Sequence, residues 1–256
     1  MAIITASQAA AFERDGYLVV EDLLTQEEIG YYRDIYEQFL DNRINTGKFR
    51  SDLGGFLGDD QPAASRERIT QIMLPGRLAP DLLQKPLHLK TLAMAKELLG
   101  EDMDLDFDML IDKAPFTNTP TPWHQDCAYW ISMPDTRAAS CWVALDDAVK
   151  DNGCMWYVPG SHRQPVRTHR PAGAGGGALM CDADEQEGVA VEIKAGSCIW
   201  HHGGTLHYSR GNSTVMRRRA YITNFRPAAM VQFEREQGFD HTGEREVRNT
   251  GAQSSK

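Results

Sequence analysis

The hydrophobic period of this chain changes at Gly100, and that change constrains the fold more than any other feature. Before Gly100, apolar residues recur at helical spacing. Thr25-Gln26-Glu27-Glu28 reads as a capping box, in which the Thr hydroxyl and the Glu carboxylate satisfy each other's orphan amides. It opens a helix running to about Asn42, with Ile29, Tyr32, Ile35, Tyr36 and Phe39 on one stripe. Thr5 or Ser7 caps a shorter helix that Gly16 stops after Asp15, and Tyr17 to Val20 reads as a strand. Residues 45–66, with Gly47, Gly54, Gly55, Gly58 and Pro62, read as a long loop of the kind that carries function. Pro86 to Leu99 reads as a further helix.

After Gly100 the period moves towards two. Asp104 to Ile111 begins as strict alternation, and short strand-like runs follow at 139–149, 154–158, 189–193, 197–201, 206–209 and 218–225. Turn signals separate them: Asp151-Asn152-Gly153, Pro159-Gly160-Ser161, Ala195-Gly196 and Gly211-Asn212-Ser213. Many short strands with frequent turns predict a sandwich or barrel. Residues 171–188, with Gly175-Gly176-Gly177, read as a surface loop, and the last dozen residues are polar. No repeat or boundary divides the chain. The expectation is one domain over 1–256: a helical layer at about 1–100, a β core at about 101–228, and a polar C-terminal tail.

Composition narrows the function classes. Lysine and arginine total 27 against 36 acidic residues, a net charge of 27 − 36 = −9. An acidic surface argues against nucleic acid as a partner. No apolar run approaches the ~20 residues of a membrane helix, and the first residues lack a signal-peptide pattern. The five cysteines are odd in number and form no CxxC pair, so they read as free thiols of a cytoplasmic protein.

The strongest chemical signal is Trp123-His124-Gln125-Asp126. On a strand, residues i and i+2 share a face, so His124 and Asp126 are expected to project together. A distant histidine completes a two-histidine, one-carboxylate set, the facial arrangement of non-haem Fe(II) sites. His201, His202 and His207 compete for that third position. Of Arg217-Arg218-Arg219, the middle residue points opposite to its neighbours on a strand, and a buried arginine there suits a bidentate pair with an organic acid.

With these residues in place, the chain resembles the phytanoyl-CoA dioxygenase family of Fe(II)/2-oxoglutarate-dependent oxygenases. The matching segments are Phe12 to Val20, His124-Gln125-Asp126, Trp142 to Asp147, Asn152 to His162, and His207-Tyr208-Ser209 with Asn212 and Arg218. The resemblance implies a double-stranded β-helix (jelly-roll, cupin-like) core, mainly β with flanking α. It implies His124, Asp126 and His207 as iron ligands, and Arg218 with Ser209 beside it as partner of the 2-oxoglutarate C5 carboxylate. Trp142, Met109 and Gln71 then fall at the co-substrate pocket. The implied cofactors are Fe(II), 2-oxoglutarate and O2, with succinate and CO2 as co-products. Related halogenases carry a small residue in place of the carboxylate, so Asp126 favours hydroxylation or another oxidation.

For the substrate wall the sequence offers Tyr129, Trp130 and Met133, and Phe49 and Phe56 in the 45–66 loop. The expected substrate is a small-molecule metabolite of secondary or catabolic metabolism, acted on by a monomer or homodimer. The competing readings are a cupin-like isomerase or lyase using another metal, and a non-catalytic ligand-binding protein on the same fold.

Overall fold

The computed structural model describes residues 3–57, 67–173 and 178–241. Its strands, in chain order, are β1 (Tyr17–Val20), β2 (Arg50–Asp52), β3 (Ile69–Met73), β4 (Met103–Lys113), β5 (Thr121–His124), β6 (Ala139–Ala144) and β7 (Met155–Tyr157), followed by β8 (Arg170–Pro171), β9 (Leu179–Met180), β10 (Val189–Val191), β11 (Cys198–His202), β12 (His207–Ser209) and β13 (Arg218–Pro227). The helices are α1 (Ala6–Asp15), α2 (Gln26–Leu40), α3 (Pro75–Leu78), α4 (Pro86–Leu99) and α5 (Ala228–Glu236). A seven-stranded sheet runs β1-β11-β6-β13-β4-β3-β2, and a four-stranded sheet runs β10-β7-β12-β5. The pairings within both are antiparallel. This two-sheet arrangement is the expected jelly roll.

The helical layer forms where its caps say it should. Thr5 and Gln8 close a capping box on α1, and Gly16 stops that helix at φ 78°. On α2, the Thr25 hydroxyl accepts from the Glu28 amide at 3.2 Å, and the Glu28 carboxylate accepts from the Thr25 amide at 2.8 Å. The α2 stripe of Ile29, Tyr32, Tyr36 and Phe39 is buried with Leu87, Met94 and Ala95 of α4 against one face of the large sheet. Strand alternation sorts the sheet's residues. Ala139, Cys141 and Val143 of β6 and Tyr221 and Phe225 of β13 join that helix-side core. Trp142 and Ala144, and Ala220 and Ile222, turn to the core between the sheets with Met155, Trp156 and Tyr157. Both faces of the large sheet are therefore covered.

The structure corrects the division at Gly100. The first hundred residues are not only a helical layer, because β1 forms one edge of the large sheet and β3 and β2 the other. β2 lies inside the expected 45–66 loop; three polar residues at a sheet edge carry no period. β3 is buried along its whole length, so it shows no alternation. The expected polar tail after residue 228 begins instead with α5, which packs on β4 and β13. The last dozen residues, and the Gly58–Pro62 part of the long loop, lie outside the described residues. Among the described residues, no helix is long and apolar enough to cross a membrane.

Candidate metal centre and co-substrate cavity

A cavity of about 360 Å³ lies between the two sheets, and His124, Asp126 and His207 line it. β5 and β12 are neighbours, with His207 opposite His124 in register. This pairing carries a histidine from 83 positions downstream to within a 4.2 Å ring-centroid distance of His124. Asp126 departs from the expectation that it shares a strand with His124. β5 ends at His124, and Asp126 opens a 3-10 turn through Tyr129. The turn is pinned by the intervening Gln125. Its amide nitrogen Nε2 donates to the Gly204 carbonyl at 2.7 Å, and its Oε1 accepts from the Arg167 amide at 2.8 Å. The Cys127 amide donates to the Gly203 carbonyl at 2.9 Å.

The ring nitrogens are assigned by their partners. His124 Nδ1 lies 2.7 Å from the Pro122 carbonyl, and His207 Nδ1 lies 2.8 Å from the Thr205 carbonyl. A carbonyl only accepts, so each Nδ1 carries the proton and each Nε2 presents a lone pair. Both Nε2 atoms lie 3.6 Å from Asp126 Oδ1. The other oxygen, Oδ2, accepts from Ser140 Oγ at 3.0 Å and faces His201 Nε2 at 3.1 Å. Burial would raise the Asp126 carboxyl, but the neighbouring imidazoles of His207, His124 and His201 hold it well below the usual range. Burial, reinforced by His124, keeps His207 neutral. Two imidazoles and a carboxylate are a donor set for a divalent ion, and these three groups have ligand atoms within 4.8 Å of one another.

Arg218 occupies the same cavity. It is 1% exposed, and its Nε and Nη1 have no hydrogen-bond partner. Its neighbours behave as alternation predicts: Arg217 pairs with Asp112, and Arg219 pairs with Asp146 and Glu37. Burial lowers the Arg218 guanidinium to about 10, which leaves it charged at neutral pH. An unpaired buried cation is costly, and a carboxylate of an entering acid matches its donors. Trp142 stacks beside it at 5.1 Å, and Ser209, Met109 and Gln71 line the same space. Gln71 Nε2 contacts Met109 Sδ at 3.4 Å. These residues fit 2-oxoglutarate.

Tyr129 and Trp130 line the cavity. Met133 does not; it packs with Trp130 and Ala138 in a separate buried cluster, because the chain leaves the cavity wall after the 3-10 turn. The Phe56 side chain lies outside the described residues. His202 also turns away, its Nδ1 accepting from the Gly204 amide at 3.0 Å. Several lining residues carried no sequence signal. Phe107 on β4, and Phe239 and His241 after α5, reach the cavity from the region expected to be outside it or to be plain core. His241 is held there by Asp106 and Glu234, at 3.2 Å from each. Ser140 was likewise invisible in the sequence, since an isolated polar residue in an apolar strand has no pattern.

Comparison with known proteins finds curated relatives and similar solved structures. A curated relative, the phytanoyl-CoA dioxygenase domain-containing protein 1 of Bos taurus, is 33% identical over 130 residues, 47% of this chain. That match spans 44% of the relative's length. The structure of EvdO2 from Micromonospora carbonacea var. aurantiaca, solved with 2-oxoglutarate, superposes with a TM-score of 0.70 at 27% identity. It covers 88% of this chain and 91% of that one. SnoN, an alpha-ketoglutarate-dependent non-haem epimerase from nogalamycin biosynthesis, superposes with a TM-score of 0.67 at 25% identity, over 87% and 82% of the two chains. The phytanoyl-CoA dioxygenase (PhyH) model matches residues 12–220. With its jelly roll and its matched residues running from α1 to β13, the chain belongs to the phytanoyl-CoA dioxygenase family.

Proposed function

We propose that this protein is a non-haem Fe(II)/2-oxoglutarate-dependent oxygenase that hydroxylates, or otherwise oxidises, a small-molecule metabolite. The observation that carries this reading is one cavity holding two opposed histidine Nε2 atoms, a carboxylate oxygen and an unpaired buried arginine. A zinc isomerase or lyase has no need of the arginine, and a non-catalytic protein has no need of the ligand set.

In this reading His124, Asp126 and His207 hold Fe(II). Arg218, with Ser209, takes the distal carboxylate of 2-oxoglutarate, and Trp142, Met109 and Gln71 bound its chain. When bound, the iron and the keto acid supply the oxidising chemistry, using O2 and yielding succinate and CO2. The protein contributes orientation. The Pro122 and Thr205 carbonyls fix the ring tautomers. Tyr129 and Trp130 face the substrate side; Tyr129 is anchored by the Leu179 amide, which donates to its hydroxyl at 2.8 Å. EvdO2 was solved with 2-oxoglutarate and SnoN is an alpha-ketoglutarate-dependent epimerase, which supports the cofactor choice and leaves the reaction within the wider oxidative class.

The test is anaerobic addition of Fe(II) and 2-oxoglutarate. The expected result is a weak visible charge-transfer band that is lost in His207→Ala. Absence of the band, with zinc retained through purification, overturns the oxygenase reading. Succinate release across a metabolite panel then identifies the substrate.

A further inference from the structure

We propose that Tyr157 and His201 form a positioning relay for Asp126, which reserves Oδ1 of its carboxylate for the metal. The proposal rests on the metal-centre reading above and concerns residues outside the ligand set.

The relay spans three elements. His201, on β11 and 3% exposed, places Nε2 3.1 Å from Asp126 Oδ2 and Nδ1 3.2 Å from the Tyr157 hydroxyl. Tyr157, on β7, is fully buried. The direction of the bonds follows from chemistry. An ionised carboxylate only accepts, so His201 Nε2 carries the proton. In the neutral ring Nδ1 is then the acceptor, and the phenol donates to it. Tyr157 thus sets the tautomer of His201, and His201 in turn holds Asp126.

The same oxygen of Asp126 has a second donor. Ser140 Oγ donates at 3.0 Å and is itself oriented by Asn224 Nδ2 at 2.9 Å. With two donors on Oδ2, the carboxylate cannot rotate to offer both oxygens. It would then offer a bound metal one oxygen rather than two. This also settles the role of His201, which adjoins the ligands with its ring 4.6 Å from that of His207. Its one lone pair faces Tyr157, so it is not a competing ligand. The relay is braced from outside: Tyr17 of β1 stacks on Tyr157 at 4.9 Å and 12°, and Tyr17 pairs in register with His201.

Co(II) titration of the full chain tests the relay, read by affinity and by the visible spectrum of the bound ion. His201→Leu is expected to weaken Co(II) binding by about 10- to 100-fold and to change the spectrum as the carboxylate turns. His201→Gln, whose amide can still donate to Oδ2, is expected to restore most of the affinity and the wild-type spectrum. Tyr157→Phe removes one oxygen from the core and is expected to weaken binding by a few-fold. Wild-type affinity and spectrum in folded His201→Leu and Tyr157→Phe proteins overturn the relay and leave the metal centre intact. Failure of the wild-type protein to bind Co(II) overturns the metal centre itself, and the relay with it.

Discussion

The guanidinium carbon of Arg218 lies 5.1 Å from the centroid of the Trp142 ring, and its Nε and Nη1 atoms have no hydrogen-bond partner among the described residues. A cation stored without a hydrogen-bonding anion stabilises the ligand complex at the expense of the empty protein. Arg218→Met is therefore expected to weaken 2-oxoglutarate binding about 100-fold, from loss of roughly 3 kcal/mol of charge-assisted hydrogen bonding. The same variant is expected to keep metal affinity and to unfold, without co-substrate, no earlier than wild type. Calorimetric titration and thermal melts check both. Unchanged 2-oxoglutarate affinity would move the anchor away from Arg218.

Metal removal has a signed effect on stability. Ligands that bind only the folded state stabilise it by about 2.7 kcal/mol at a hundred times the dissociation constant. The melting temperature is expected to rise on adding Fe(II) with 2-oxoglutarate anaerobically and to fall back with a chelator. Asp126→Ala is expected to abolish the rise. A full rise in that variant would show that the stabilising ion binds elsewhere.

Acid sensitivity is expected at His202. Burial, with His162 and His201 nearby, lowers its imidazole from 6.5 to about 4, and protonation of Nδ1 would end its acceptance from the Gly204 amide. A depressed folded-state value means stability present above pH 6.5 and lost as the pH falls towards 4, at most about 3 kcal/mol. Urea unfolding of wild type and His202→Asn at several pH values measures it. The variant is expected to show the shallower pH slope.

Gly203 permits Trp130 to reach the cavity wall. A Cβ at Gly203 would lie 2.3 Å from Trp130 Cζ3, and Arg226 stacks on the Trp130 ring at 3.8 Å, leaving little room to retreat. Gly203→Ala is expected to destabilise by about 1–3 kcal/mol and to shift tryptophan fluorescence. Substrate-dependent succinate release is expected to fall more than metal or 2-oxoglutarate binding. Equal losses in all three would mean a general collapse of the site.

Local chemistry carried much of this into the sequence. The capping box at Thr25, a cap at Thr5 or Ser7 and the stop at Gly16 depend on contacts within one turn, so they were legible. So was the split of Arg217, Arg218 and Arg219 between faces, because strand alternation acts on adjacent residues. β2 and β3 were not legible: one is three polar residues, the other is buried on both faces, and each exists by pairing with a distant strand. Met133 was misplaced because burial alone does not say which cavity or core a side chain joins.

The candidate metal centre divides along the same line. His124 and Asp126 are two residues apart, so their nearness is written in covalent geometry, although Asp126 reaches its place through a turn rather than a strand. The resemblance pointed to His207, but residue spacing left it level with His201 and His202. Only the pairing of β12 with β5 put His207 Nε2 opposite His124, while β11 carried His201 to the far oxygen of Asp126. Short-range geometry and capping act along the chain and can be read from it. Which distant strands pair is decided by burying both faces of the large sheet at once, a condition no single segment contains.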